Sequence, residues 1–259
     1  MLRRWGILLA MLTLTAGTIL AAGSASAATT GFGPGRPIHL VGASPDARGG
    51  ISHQAESINW SGYAVTTGTY TSVSASWTQP AGTCSRGDQY ATFWVGLGGY
   101  SSSSVEQTGS EVDCVGRTAE YYAWYEVYPG PSENYTNTVR AGDRFSATVT
   151  YEGNSEFSLY IADTTQGWSH TATASLAGAA RSSAEVIVEA PCCTASGGIL
   201  PLADFGTVNI TSSMADGAAL DSTGGVTQIV MIDNAGSDKA RVSSLSGGGN
   251  FSATWLGSS

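Results

Sequence analysis

Past its apolar N-terminus the chain keeps a period of two, and no later stretch sustains a helical period. Short runs rich in Val, Thr, Tyr, Phe and Trp alternate with turns of Gly, Ser, Asn and Asp. Strands are expected near 59–66, 72–77, 90–97, 105–109, 120–128, 144–151, 156–163, 168–175, 184–189, 202–211, 226–232, 240–243 and 250–255. Short strands at this spacing, with no helices between them, exclude a parallel α/β sheet. They predict an all-β fold, a sandwich of two antiparallel sheets.

The N-terminus stands apart. Met1-Leu2-Arg3-Arg4 is basic, an apolar run follows to about Ala22, and Ala25-Ser26-Ala27 is a small-x-small site. Residues 1–27 read as a secretory signal peptide, which predicts a secreted, extracellular protein. A membrane anchor is the alternative, and nothing further along is apolar enough to span a bilayer. Residues 28–57, rich in Gly, Pro, Ala and Ser, read as a linker or short pro-segment, and 58–259 as a single β-sandwich domain.

The full chain has 11 Lys and Arg against 20 Asp and Glu, a net charge of −9. Without Arg3, Arg4, Arg36, Arg48, Asp46 and Glu56, the domain keeps seven cations and 18 carboxylates, a net of −11. Such a surface repels nucleic acid and anionic lipid. It also suits acid, because few positive charges remain to repel one another once carboxylates protonate. Four cysteines in an exported chain suggest disulfides. Cys84 and Cys114 flank the central strands and are expected to pair, whereas the adjacent Cys192 and Cys193 could bond to each other, bond elsewhere or stay free.

Alternation assigns faces. In 90–97, Ala91, Phe93, Val95 and Leu97 form a core set opposite Thr92, Trp94 and Gly96. In 120–128, Glu120, Tyr122, Trp124, Glu126 and Tyr128 share a face too polar for a core and too aromatic for plain solvent. It reads either as a binding groove or as a surface ladder of aromatic cross-strand pairs. Glu185, Ile187 and Glu189 share a face of 184–189, where Glu189 is either a desolvated acid or base or an exposed edge-strand charge. Gln107 cannot serve as a base or nucleophile; it is either an ordinary surface or turn residue or an amide that donates to a developing oxyanion. His39, His53 and His170 are the only histidines, and neither Gly-x-Ser-x-Gly, His-Glu-x-x-His nor a metal-ligand cluster occurs. Hydrolytic chemistry here would rest on carboxylates and amides, with water as nucleophile and neither metal nor cofactor.

Several motifs occur together in order. They include Asn59-Trp60-Ser61-Gly62-Tyr63, Trp77-Thr78-Gln79-Pro80, Phe93-Trp94-Val95-Gly96-Leu97 and Val105-Glu106-Gln107-Thr108-Gly109. After them come Ala123-Trp124-Tyr125-Glu126-Val127-Tyr128-Pro129, the stretch from Ser183 to Ala190, and Leu202-Ala203-Asp204-Phe205-Gly206-Thr207-Val208. In these the chain resembles the glutamic peptidases, or eqolisins, over roughly 59–255. The resemblance implies an all-β sandwich of two curved antiparallel sheets of the jelly-roll kind, and an acid-active endopeptidase on polypeptide substrates, secreted as a zymogen. It also implies a catalytic dyad of Gln107 and Glu189, and a cleft lined by Trp94, Trp124, Glu126 and Tyr128. A monomer is expected.

The chain departs from that pattern in places. Gly98-Gly99 stands where the family commonly has Asp-Gly, Tyr122 where some members carry Asp, and Val186 where Trp is frequent. Cys192-Cys193 lies outside the pattern. Two other readings compete. One is a carbohydrate-active or carbohydrate-binding sandwich, hinted at by Glu111-Val112-Asp113, although Gly116 occupies the place of the third carboxylate that such a strand needs. The other is an inactive secreted binding module.

Overall fold

The alternation of the sequence becomes two facing sheets in the computed structural model, which describes residues 40–44, 53–85, 87–192 and 198–259. These belong to one unit, Gly31–Ser259. The stretch read as a signal peptide, most of the stretch read as a linker, and Cys193 lie outside the described residues.

One sheet is built from β3 (Trp60–Val65), β5 (Gln89–Gly98), β6 (Val105–Val115), β7 (Thr118–Tyr128), β8 (Glu133–Asn134), β12 (Ala184–Glu189) and β15 (Val226–Ile232). Its order is β8-β7-β6-β5-β12-β3-β15, all antiparallel. Two strands arise in the 28–57 stretch. β2 (His53–Ser57) joins β15 in parallel, and β1 (Leu40–Ser44) pairs with β2.

The second sheet runs β11 (Trp168–Ser175), β10 (Glu156–Asp163), β9 (Arg144–Gly153), β4 (Ser72–Thr78), β13 (Thr207–Ala215), β17 (Phe251–Trp255) and β16 (Asp238–Val242). The short β14 (Ala218–Ala219) pairs with the end of β13. At its C-terminal end β15 leaves β3, and Met231 and Ile232 pair with β16. One strand thus belongs to both sheets.

Between the layers lies the main core, with Phe93, Val95 and Leu97 from β5, Val186 and Val188 from β12, Val149 from β9, and Phe157, Leu159 and Ile161 from β10. Phe93 and Phe205 meet edge to face at 5.5 Å. Burying each such side chain contributes about 1.5–3 kcal/mol, which is why strict alternation fixes the register: a one-residue slip would turn every one of them outward.

All thirteen expected strands form, with two differences of extent. The strand expected at 105–109 runs on to Val115, because pairing with β5 and β7 on both sides overrides the polar stretch 110–113. The strand expected at 202–211 begins only at Thr207. Gly206 has φ +63 and donates its N–H to the Asp204 carboxylate, a turn that delays it.

The expected disulfide is present, Cys84–Cys114, with Cα atoms 5.3 Å apart. It ties the loop before β5 to the end of β6 across a sequence separation of 30. Cys192 is also disulfide-bonded. A loop of this length predicts that Cys84→Ser with Cys114→Ser loses about 3–4 kcal/mol, read as a lower denaturation midpoint with a steeper slope, because the unfolded chain is less compact without the bridge.

Candidate active site

β5, β6, β7, β12 and β3 align residues of their outer faces into rows across the first sheet. The register gives Glu126, Gln107, Gly96, Glu185 and Ala64 in one row. The next holds Trp124, Gly109, Trp94, Ile187 and Gly62, and the one after it Tyr122, Glu111, Thr92, Glu189 and Trp60. Polar rows therefore flank an aromatic one. Trp60, Trp94, Trp124, Val105 and Ile187 form a second apolar cluster on this face, with Tyr128 packed against it.

Small residues make the aromatic row possible. A β-carbon on Gly109 would run into the Phe93 carbonyl oxygen and the side chain of Trp94. Trp60 stands edge-on to Trp94 with ring centroids 4.9 Å apart.

β12 is a central strand between β5 and β3, so Glu189 is not an edge-strand charge. It is fully buried. The Trp94 indole Nε1 donates to its Oε2 at 2.9 Å, and Asn59 Nδ2 donates to its Oε1 at 3.4 Å. Gln107, also fully buried, donates from Nε2 to Glu126 Oε2 at 2.7 Å. Gln107 and Glu189 thus share a face and lie two strands apart, on either side of the Trp94 row. Trp94, Trp124, Glu126 and Tyr128 stand on the same face.

Burial sets the protonation of the surrounding acids. It pushes Glu126 up to about 9 against the Gln107 hydrogen bond, and the charge of Glu189 adds to the rise. Glu111, deeply buried and interacting with Asp113, is also held well above its ordinary value. Asp113 is raised to about 7 by burial. Glu185 is held well above the carboxylate range by burial, although Ser183 and the Tyr100 N–H oppose it. On the core side of β6, burial lifts Glu106 to about 7. The face is thus a set of acids kept protonated by their surroundings, grouped around a carboxylate that receives two N–H donors.

Gly98 explains one departure from the expected pattern. Its φ is +81, and a β-carbon there would come within 2.9 Å of the Ser104 carbonyl oxygen. An aspartate at this position requires a different β5–β6 turn. His170 lies elsewhere, on β11, stacked on Tyr135 and bonded to Asn137.

The Peptidase A4 family model matches residues 58–255. The chain belongs to that family. Among solved structures it is similar to scytalido-glutamic peptidase bound to a transition state analog inhibitor, at 27% identity and a TM-score of 0.66, covering 76% of this chain and 98% of that one. SCP-B, an eqolisin in complex with the tripeptide Ala-Ile-His, matches at 25% identity and a TM-score of 0.62 over 76% and 98% of the two chains. Aspergilloglutamic peptidase from Aspergillus niger matches at 27% identity and a TM-score of 0.55 over 65% and 99%. No curated protein matches. Family and fold together make this chain a glutamic endopeptidase and set aside the carbohydrate reading.

Residue-level reading of the sequence missed Asn59 as a partner of Glu189, although it opens one of the quoted motifs. It also left Glu111 and Asp113 outside the site, because their neighbourhood appears only when β5 and β12 align.

The raised acids carry a sign. A carboxyl whose folded pKa lies above its ordinary value keeps its proton in the fold and loses it in the unfolded chain. The contribution of these acids is therefore fully present below about pH 4 and is lost as pH rises through the values near 7 for Glu106 and Asp113 to about 9 for Glu126. Thermal unfolding followed by circular dichroism should show Tm falling across this window. Glu126→Gln should flatten the upper part of the curve, and a Tm that climbs over the same range would contradict the assignment.

Proposed function

We propose that the protein is a secreted endopeptidase that cleaves peptide bonds in acid through Gln107 and Glu189. The observation that carries this reading is that both residues are buried on one sheet face, each with its polar group oriented by a neighbour: Gln107 by Glu126, Glu189 by Trp94 and Asn59. The leader of basic, apolar and small residues supports export, and the Cys84–Cys114 disulfide is consistent with an oxidising compartment.

The chemistry follows from what the groups can do. Glu189, in its ionised form, takes a proton from a water whose oxygen attacks the scissile carbonyl carbon. The carbonyl π bond opens and its oxygen becomes an oxyanion. The Gln107 amide nitrogen carries two N–H donors; one is held by Glu126, which leaves the other for the oxyanion. Collapse of the tetrahedral intermediate breaks the C–N bond, and Glu189 hands its proton to the departing amine. The products are one carboxyl and one amine end, and Glu189 is again a carboxylate.

Glu126 serves the dyad as a positioning residue, since its hydrogen bond fixes which end of the Gln107 amide faces the substrate. Acid operation suits the site because its neighbouring carboxyls must stay protonated if the face is not to fill with like charges.

Cleavage of a denatured protein substrate by the processed enzyme, from about pH 2 to pH 7, tests the reading. Activity should be confined to acid and abolished in Glu189→Gln. Gln107→Ala should lose about 100- to 1,000-fold in kcat while remaining folded in acid, at a Tm lowered by the loss of its buried hydrogen bond to Glu126. Proteolysis retained by folded Glu189→Gln would remove Glu189 from the mechanism. No cleavage at any pH by folded, processed wild type would favour a binding module instead.

A further inference from the structure

The hydroxyl of Ser57 has every one of its bonds assigned. Ser57 ends β2 and is fully buried, as are Asn59 and Glu189. Its Oγ accepts the main-chain N–H of Asn59 at 3.2 Å and that of Trp60 at 3.1 Å, which closes the turn into β3. A serine hydroxyl has two acceptor lone pairs and one hydrogen. With both lone pairs taken, that hydrogen goes to Asn59 Oδ1, 2.9 Å away.

The consequence falls on Glu189. An asparagine amide has an oxygen end and a nitrogen end of nearly the same shape, and its hydrogen bonds decide which way it lies. Ser57 holds the oxygen end, so the nitrogen end points to Glu189, where Nδ2 donates to Oε1 at 3.4 Å. Turned over, the amide would set its oxygen against the carboxylate, an arrangement that favours a protonated Glu189. The main chain keeps Asn59 in place for this contact, because its carbonyl accepts the N–H of Ala190 at 2.8 Å.

Ser57 is itself anchored. β2 pairs with β15, with Ser57 beside Met231 and Ala55 beside Ile229, and Ala55 belongs to the apolar cluster of Trp60, Trp94 and Ile187. The segment that carries Ser57 is thus joined to the sheet that carries Glu189, although composition places it in the stretch read as a linker or pro-segment.

We propose that Ser57 is a positioning residue of the peptidase, acting through Asn59 to keep an N–H donor on Glu189, and that the active enzyme therefore retains it. This role rests on the peptidase reading. The acids on the face around Glu189 are Glu111 and, beyond it, Asp113 on β6, Glu126 on β7 and Glu185 on its own strand, and burial keeps all four protonated in acid. The flanking strands β5 and β3 bring Thr92, Trp94 and Trp60, which carry no charge, and Glu56 of β2 is exposed. The acid limb of the activity profile therefore reports Glu189.

The test is the pH profile of kcat/KM on a peptide substrate, from about pH 2 to pH 7, for wild type, Ser57→Ala, Asn59→Ala and the double variant. Ser57→Ala should move the acid limb up by about one pH unit, the worth of one hydrogen bond to a charged group. That reads as about tenfold less activity on the acid side, with a plateau within about twofold of wild type. Asn59→Ala should move the limb equally, and the double variant no further. Ser57→Ala also lowers Tm, since two main-chain N–H groups lose their acceptor, so the profiles are taken below the Tm of the weakest variant. Mass spectrometry of the secreted, active wild type should find its first residue at or before Ser57.

An unmoved limb in Ser57→Ala, shifts that add in the double variant, or a loss of activity that is equal at every pH would each overturn the role. So would active enzyme that begins at Ile58 or beyond, a measurement that needs no variant and decides the matter even if Ser57→Ala does not fold. Wild type that cleaves nothing at any pH would take down the peptidase reading and this role with it.

Discussion

The hydrogen bond from the Trp94 indole to Glu189 joins two demands that would otherwise conflict. An apolar row must be packed against the sheet face to exclude water, and a carboxylate must live beside it. Indole meets both, since its rings supply apolar area while its one N–H supplies a donor. The row depends on glycines at 62 and 109, which clear room for Ile187 and Trp94. With Asn59 on the other oxygen, Glu189 has partners although it is buried. The rest of the face follows from this arrangement: acids on either side cannot all ionise in a site so dry, and burial keeps them protonated.

Much of this was legible in the chain because the two-residue period carries both fold and face. Phe93, Val95 and Leu97 declare the core side of β5, and Trp94 and Gly96 follow onto the other side without any knowledge of the partner strands. The same logic placed Trp124, Glu126 and Tyr128 together. Register between distant strands was not legible. Nothing local says that Glu189 aligns with Thr92 and Trp60 or meets Asn59, a contact that spans 130 residues of sequence. The same blindness left β12 with two readings, an edge strand or a centre strand, and only its neighbours β3 and β5 decide. Turn chemistry was underused: Asp204 and Gly206 announce a break that the apolar residues around them conceal.

The acidity of the chain acts in two places. On the surface an excess of carboxylates makes protonation mild in its consequences, since few cations remain to repel one another. Inside the site the same residue type is held neutral by desolvation. Both effects point the same way, toward a protein whose folded state is favoured by protons, and both come from residues placed by ordinary strand alternation.

Membership of β15 in both sheets has a mechanical consequence. In many sandwiches the layers touch only through side chains and can shear past each other as those side chains repack. Here a backbone ladder runs from β3 through β15 into β16, so sliding one layer over the other would break main-chain hydrogen bonds at Met231 and Ile232. The floor beneath Gln107 and Glu189 is therefore tied to the second layer by backbone, and different peptides would have to be accommodated by loops and side chains along its rim, with the sheets themselves acting as a fixed anvil.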